Sequence, residues 1–128
     1  MQVKTKQNIA VDVDTTFLRD YSDPEELRFV FAYHIKITNN SSSLSKLLER
    51  HWKISHGGRF VESVDGTGVV GETPLLSPGE SFEYTSGAVL ETPFGTMEGH
   101  YTFEDMQGQR FDVPIPPFIL STSDETLN

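Results

Sequence analysis

Every second residue is apolar over long stretches of this chain, and this period of two limits its fold more than any other feature. The first run comprises Ile9, Val11, Val13, Thr15 and Phe17, and a second extends from Leu27 to Ile37. Such alternation is typical of a β-strand with one face on a core and the other in water. Pro24 marks a turn between the runs, since proline fixes φ and disfavours helix in the residue before it. We predict two antiparallel neighbouring strands.

Turn signals recur through the rest of the chain. They lie at Asn39-Asn40-Ser41, Gly57-Gly58, Asp65-Gly66, Pro78-Gly79, Thr92-Pro93 and Gln107-Gly108. Between them we predict strands near residues 46–56, 59–64, 81–86, 96–106 and 110–115. Short strands with frequent turns are typical of a β-sandwich, here of about seven to eight antiparallel strands. We expect one domain over residues 1–128, with flexible tails at 1–5 and 121–128.

Periodicity alone does not settle the segment 43–54. Leu44, Leu47, Leu48 and Trp52 would also lie on one face of a helix preceded by serine caps. We favour a strand, because an isolated helix would have little to pack on in a β-rich chain. In that register Leu48, Arg50, Trp52 and Ile54 face the core, and Leu47, Glu49, His51 and Lys53 face outward. Trp52 is then the central aromatic residue, surrounded by Phe29, Phe31, Phe82, Tyr84, Tyr101 and Phe103.

Composition excludes several classes of function. The chain has no cysteine, which removes disulfides, zinc–thiolate sites and thiol nucleophiles. Its net charge is −9, and residues 61–128 hold twelve acids against one base, so we expect no nucleic-acid partner. It carries neither a secretory signal nor an apolar run long enough for a membrane span. We therefore expect a cytoplasmic protein without membrane insertion.

From Arg50 onward the residues form a dense series of motifs. These are Arg50-His51-Trp52-x-Ile54, Gly66-x-Gly68-Val69-Val70-Gly71-x-x-Pro74, Ser77-Pro78-Gly79-Glu80, Tyr84-Thr85-Ser86-Gly87 and Thr92-Pro93-x-Gly95-x-Met97-x-Gly99-x-Tyr101. The series resembles the bacterial ApaG family over nearly the whole chain. Only the tail from Ser121 departs from it, since it lacks the proline-containing ending of many members. The resemblance implies an immunoglobulin-like or fibronectin type III-like sandwich, and a genetic association with cobalt tolerance and magnesium efflux.

Gly66, Gly68 and Gly71 fit the pattern G-x-G-x-x-G, in which backbone amides approach a pyrophosphate at a helix N-terminus. A nucleotide site here is an alternative function, because ApaG genes often neighbour a diadenosine tetraphosphate hydrolase. The pattern requires a following helix, yet residues 72–79 contain two prolines. We interpret the motif as a glycine-rich connection between strands.

A divalent-cation site is a further alternative. His51 and His100 both face away from the core if Trp52 and Tyr101 face it, and they could be cross-strand neighbours. Glu49 shares the phase of His51, and Glu98 shares that of His100. Two imidazoles and two carboxylates on one sheet face could attract a cation weakly, although a solvated polar face has the same pattern.

No motif supports catalysis or a cofactor. Ser55 and His56 are adjacent in a strand and so face opposite ways, and no G-x-S-x-G turn is present. Apolar residues in predicted connections point instead to binding: Val69, Val70, Leu75, Leu76, Val89, Leu90, Phe94 and Pro116-Pro117-Phe118. We predict a non-enzymatic module that binds a protein partner or its own copy, chiefly through Val69, Val70, Leu75, Leu76 and Phe94 at one end of the sandwich.

Overall fold

The alternation of apolar and polar residues in the sequence corresponds to alternating burial along most of the eight β-strands. The computed structural model describes residues 8–123. Two 3₁₀ helices, Arg19–Tyr21 and Pro24–Glu26, occupy the connection predicted as a turn. The strands are β1 (Ile9–Phe17), β2 (Phe29–Asn39), β3 (Ser45–His56), β4 (Phe60–Thr67), β5 (Leu75–Leu76), β6 (Ser81–Leu90), β7 (Phe94–Asp105) and β8 (Arg110–Ser121).

The strands form two antiparallel sheets. The first sheet has the order β1-β2-β6, and the second has the order β4-β3-β7-β8 with the short β5 also paired to β3. β1 and β2 are direct neighbours, and Phe17 lies opposite Phe31. The predicted antiparallel sandwich is confirmed, as is a strand rather than a helix at β3.

Aromatic residues from both sheets fill the core around Trp52, which is only 3% exposed. Its indole ring makes edge contacts with Tyr33, Tyr101 and Phe118. The hydroxyls of Tyr84 and Tyr101 lie 2.6 Å apart across the sheets and share a hydrogen bond. Burial raises the pKa of both tyrosines, so both hydroxyls keep their protons near neutral pH.

The predicted register of β3 is wrong at its start. Leu47 is fully buried and Leu48 is half-buried, the reverse of the prediction. The pairing with β7 shifts between Leu47 and Glu49, where β3 carries a bulge. A bulge inserts one extra residue, so the side chains before it exchange faces while those from Arg50 onward keep the predicted phase.

Several predicted loops lie inside strands. Val89 and Leu90 end β6, Phe94 begins β7, and Pro116-Pro117-Phe118 lie within β8. Prolines are tolerated in β8 because, among the strands of residues 8–123, it pairs on one side only, with β7. The register of that pair also shifts between Met97 and Gly99, where Pro116 and Pro117 bulge opposite a single residue.

The predicted tail 1–5, and residues 124–128 of the predicted tail 121–128, lie outside the described residues. Ser121, placed in a tail by the prediction, is the last residue of β8, and the amide of Thr122 bonds the carbonyl of Pro93. No helix within residues 8–123 has the length and apolar character needed to cross a membrane.

Candidate functional site

Side chains on the outer face of the second sheet align in rows across its four long strands. Asp65, His51, His100 and Pro114 are successive register partners in one row. Nearer the other end of β3, Val61, Ser55, Thr96 and Ile119 form a second row. The outer face is therefore polar at its centre and apolar at one end.

The predicted adjacency of His51 and His100 is confirmed by the register. Their rings stack with centroids 4.5 Å apart and planes inclined by 24°. His51 Nδ1 lies 2.7 Å from Asp65, and Nε2 lies 3.0 Å from Glu49. With a carboxylate at each ring nitrogen, the protonated imidazolium can donate both of its hydrogens. The hydrogen bond to Asp65 above all, and that to Glu49, raise the pKa of His51 despite the opposing effect of partial burial.

We expect this pairing to make stability depend on pH. Because the folded pKa of His51 is raised, its contribution is complete below the unfolded value of about 6.5 and is lost as pH rises through the folded pKa. Asp65→Asn should therefore lower the free energy of unfolding more at pH 5.5 than at pH 8.5. Urea denaturation at both pH values measures the difference, and NMR titration should show a lower His51 pKa in the variant.

The matched control is Asp12→Asn, an exposed carboxylate on β1 whose register partner is Lys36. Its effect on stability should not grow toward acid in the same way. Equal losses from Asp65→Asn at the two pH values would contradict the assigned pairing.

A cleft of about 560 Å³ opens on the outer face around the histidine pair. We call it the histidine cleft; its walls include His51, Lys53, Asp65, Glu98, His100 and Pro114. Gly99 lies in it opposite Trp52, and a Cβ there would collide with the carbonyl oxygen of His51. Pro114 and Pro117 of the bulged β8 form another wall of this depression.

The residues predicted for a cation site come together only in part. His51, His100 and Glu49 are neighbours, while Glu98 lies opposite Lys53 across β3 and β7. Within residues 8–123, no three His, Asp or Glu side chains are arranged to hold a metal ion. An imidazolium that donates both hydrogens has no lone pair for a metal. The geometry favours charge pairing within the protein.

The glycine-rich loop folds back on itself after β4. Val69 and Glu72 exchange two backbone hydrogen bonds of 2.8 and 2.9 Å, with positive φ at Val70 and Gly71 between them. The amide of Gly68 bonds the carbonyl of Leu48. Residues 72–79 contain β5 and a turn in place of the helix that a pyrophosphate site requires. In this loop the amides of Gly68, Val69 and Glu72 already have partners within the protein.

The five apolar binding candidates do not form one surface. Val69 and Leu76 belong to the core. Val70 and Leu75 are exposed near the start of β3, where Leu75 pairs with Lys46. Phe94 is exposed near the far end of β3, on the strand where Thr96 pairs with Ser55. Lys46 and Ser55 are separated by about 30 Å of extended strand, so Phe94 lies apart from the other candidates.

Sequence analysis missed Ile119 and Val61, which share the outer face with Phe94. Ile119 lies opposite Thr96, and Phe94 is two residues from Thr96 on the same strand face, so Phe94 and Ile119 are diagonal neighbours. For Ile119, alternation with buried residues such as Leu120 in β8 is the signal that could have placed it there. It was obscured in β8 by the prolines, which argue against a strand.

Two histidine contacts and a second cleft were also not predicted from the sequence. His56, buried beneath Phe60, lies 2.7 Å from Glu62 and accepts a hydrogen bond from the Glu91 amide. His34 lies 2.7 Å from Glu83 on β6. The second cleft lies between the two sheets and contains Arg50. The sequence signal for this cleft is that Arg50, a charged residue, faces the same inward side of β3 as Trp52.

Fold and outer face together define a small two-sheet β-sandwich of the immunoglobulin and fibronectin type III kind, with a cleft on one sheet. Among known families, the ApaG domain matches residues 19–105. Protein ApaG from Aromatoleum aromaticum is 47% identical over 121 residues, covering 94% of this chain and 95% of the relative. Protein ApaG from Nitrosomonas europaea is 50% identical over 121 residues, with the same coverage of 94% and 95%.

Solved structures agree with this assignment. A crystal structure of an ApaA protein from Bordetella pertussis has a TM-score of 0.91 and 43% identity, covering 95% of this chain and 99% of its own. The chain belongs to the ApaG family.

Proposed function

We propose that this chain is a non-enzymatic module that binds a protein partner through the outer face of the second sheet. The observation that carries the proposal is that the histidine cleft and a group of exposed apolar side chains lie on the same outer face. Phe94, Val61 and Ile119 are 56%, 61% and 64% exposed on this face. Large apolar residues exposed together next to a depression are typical of protein interfaces.

The histidine cleft has rigid walls, which make it suitable for holding a side chain of the partner. The histidine cleft lies between stacked imidazoles on β3 and β7 and prolines on β8. Because these groups are held by sheet hydrogen bonds and ring geometry, binding would cost little conformational entropy. The partner would place one anchoring side chain in the cleft and cover Phe94 and Ile119 with apolar contacts.

Charge indicates what kind of partner fits. The chain carries a net charge of −9. Acidic residues also outnumber basic ones on the outer face, where Glu49, Asp65, Glu98 and Asp112 lie around the histidine pair. A second copy would repel this surface, whereas a protein with a basic surface would be attracted to it and steered toward it. On this proposal, any effect of the family on cobalt tolerance and magnesium efflux would be indirect and would act through such a partner.

Phe94→Asp is expected to weaken association with a captured partner by about 2 kcal/mol or more, because a few buried anchors dominate most interfaces. Thermal unfolding of the isolated domain should change little, since the side chain is 56% exposed. The partner is first isolated from a lysate, and its dissociation constant is then measured by surface plasmon resonance.

The matched control is Leu75→Asp, which removes a 54% exposed apolar side chain near the opposite end of β3. It should alter the dissociation constant much less. A larger loss of affinity with Leu75→Asp than with Phe94→Asp would place the interface near the start of β3. Unfolding of the domain by Phe94→Asp would show that this residue belongs to the core.

A further inference from the structure

A cleft of about 370 Å³ lies between the two sheets on the side bordered by β4 and β6. We call it the inter-sheet cleft. β1 packs against β8 on the opposite side of the sandwich, whereas β4 and β6 are not paired with each other. Its lining includes Tyr33, Arg50, Trp52, Glu62, Val64 and Ser86.

Arg50 is the unusual member of this lining, because it extends from β3 in the same inward phase as Trp52. Its Nη1 donates hydrogen bonds of 3.1 and 2.9 Å to the carbonyl oxygens of Thr67 and Gly68. Among residues 8–123, no carboxylate lies within ion-pair distance of its guanidinium. A half-buried cation without an anionic partner is costly, and this one has donor hydrogens to spare.

The glycine-rich loop explains how this cation is held. A Cβ on Gly66 would lie 2.7 Å from the guanidinium carbon of Arg50, so glycine leaves room for the group. The carbonyl of Gly68 then accepts one of its hydrogen bonds. Two of the three glycines in the G-x-G-x-x-G pattern thus position an arginine.

Most other polar groups of the inter-sheet cleft can donate hydrogen bonds. They include the hydroxyls of Tyr33 and Ser86. The indole N–H of Trp52, another residue of the lining, is buried and has no partner within the described chain. Burial raises the pKa of Tyr33 although Ser86 and the charge of Arg50 oppose it, so its hydroxyl keeps its hydrogen. The one carboxylate of the lining, Glu62, accepts from His56 at 2.7 Å.

We propose that the inter-sheet cleft binds a small organic monocarboxylate, with the carboxylate on Arg50 and the hydrocarbon part against Ile54, Val64 and Ala88. A guanidinium offers two parallel N–H donors that match a carboxylate. The remaining walls are apolar, and the volume lies within the range of small-molecule sites. This site is distinct from the outer face to which protein binding is assigned.

Hexanoate is a suitable probe, and Trp52 is a built-in reporter because it lines the cleft and is the only tryptophan. We expect hexanoate to change Trp52 fluorescence saturably and to shift NMR signals of β3 and β6. Hexanamide, which lacks the charge, should bind at least about tenfold more weakly, since a charged hydrogen bond is being lost.

Two variants test the role of Arg50. Arg50→Gln should weaken hexanoate binding by about tenfold or more. Because this change could disturb the glycine-rich loop, Ser86→Asp provides a second test by supplying an internal carboxylate to the same cleft. Thr85→Asp is its matched control, since it adds equal charge on the outer side of β6. Ser86→Asp should abolish binding and Thr85→Asp should retain it.

Several results would overturn the proposal. They are equal binding of hexanoate and hexanamide, unchanged binding in Ser86→Asp, or NMR shifts confined to the histidine cleft. An amidated peptide with one glutamate, titrated in parallel, separates a free acid from a protein side chain. Binding of that peptide in place of hexanoate would also contradict a small-molecule site.

Discussion

Trp52→Ala is expected to lower the free energy of unfolding by about 3–5 kcal/mol, the usual range for removing a large buried aromatic side chain. Trp52 is 3% exposed and contacts rings from both sheets, so its loss would leave a cavity that neither sheet can close alone. Urea denaturation followed by circular dichroism measures the change.

Iodide quenching of tryptophan fluorescence checks the same burial without a substitution. Native protein should be quenched poorly, and unfolded protein readily. As a control, Phe60→Ala removes an aromatic ring that is 42% exposed on β4, and it should cost much less. A midpoint unmoved by Trp52→Ala would mean that the central aromatic residue lies elsewhere.

Gly99→Ala is expected to destabilise the protein by about 2–3 kcal/mol, at the upper end of the range for overpacking. The added Cβ would collide with the backbone carbonyl of His51 and crowd the Cα of Trp52 at 3.1 Å. Since these atoms belong to the central strand pair of the second sheet, they cannot move aside as a flexible side chain would. Thermal unfolding of the variant measures the effect.

Gly87→Ala is the matched control, because it also introduces a methyl group into a strand. There the Cβ would lie 3.5 Å from the carbonyl oxygen of Phe31, an ordinary contact. It should be neutral or nearly so. If both alanines cost the same, the close approach of β3 to β7 at Gly99 is not what constrains that position.

Alternation in the sequence predicted the sandwich because burial on one face of a strand follows directly from a period of two. The same rule placed His51 and His100 on the outer face, since each adjoins an aromatic residue that must be inside. Their adjacency also required β3 and β7 to pair, which the sandwich topology supplied. Neither inference needed any side-chain detail.

The features that could not be predicted arise where the period breaks. A bulge near Leu48 reverses the faces of the residues before it, and no residue type marks it. Pro116 and Pro117 argue against a strand, yet β8 accommodates them by bulging at a position that pairs on one side only. The inter-sheet cleft depends on which strands border the open side, and strand order is not encoded locally.

Loop residues presented a similar difficulty. Leu75 and Phe94 each directly follow a proline, but β3 separates them by most of its length. Their positions depend on which strand each connection joins. An apolar residue beside a turn therefore does not by itself predict which neighbours it will have.

The prolines of β8 have a consequence for encounters between molecules. Pro114, Pro116 and Pro117 have no N–H to offer a foreign strand, so this margin of the second sheet is a poor template for sheet growth. β4, at the other margin, has no proline and is guarded by the charges of Glu62 and Asp65. Protection against amyloid-like stacking is thus covalent and independent of pH at β8. At β4 it depends on side-chain charge.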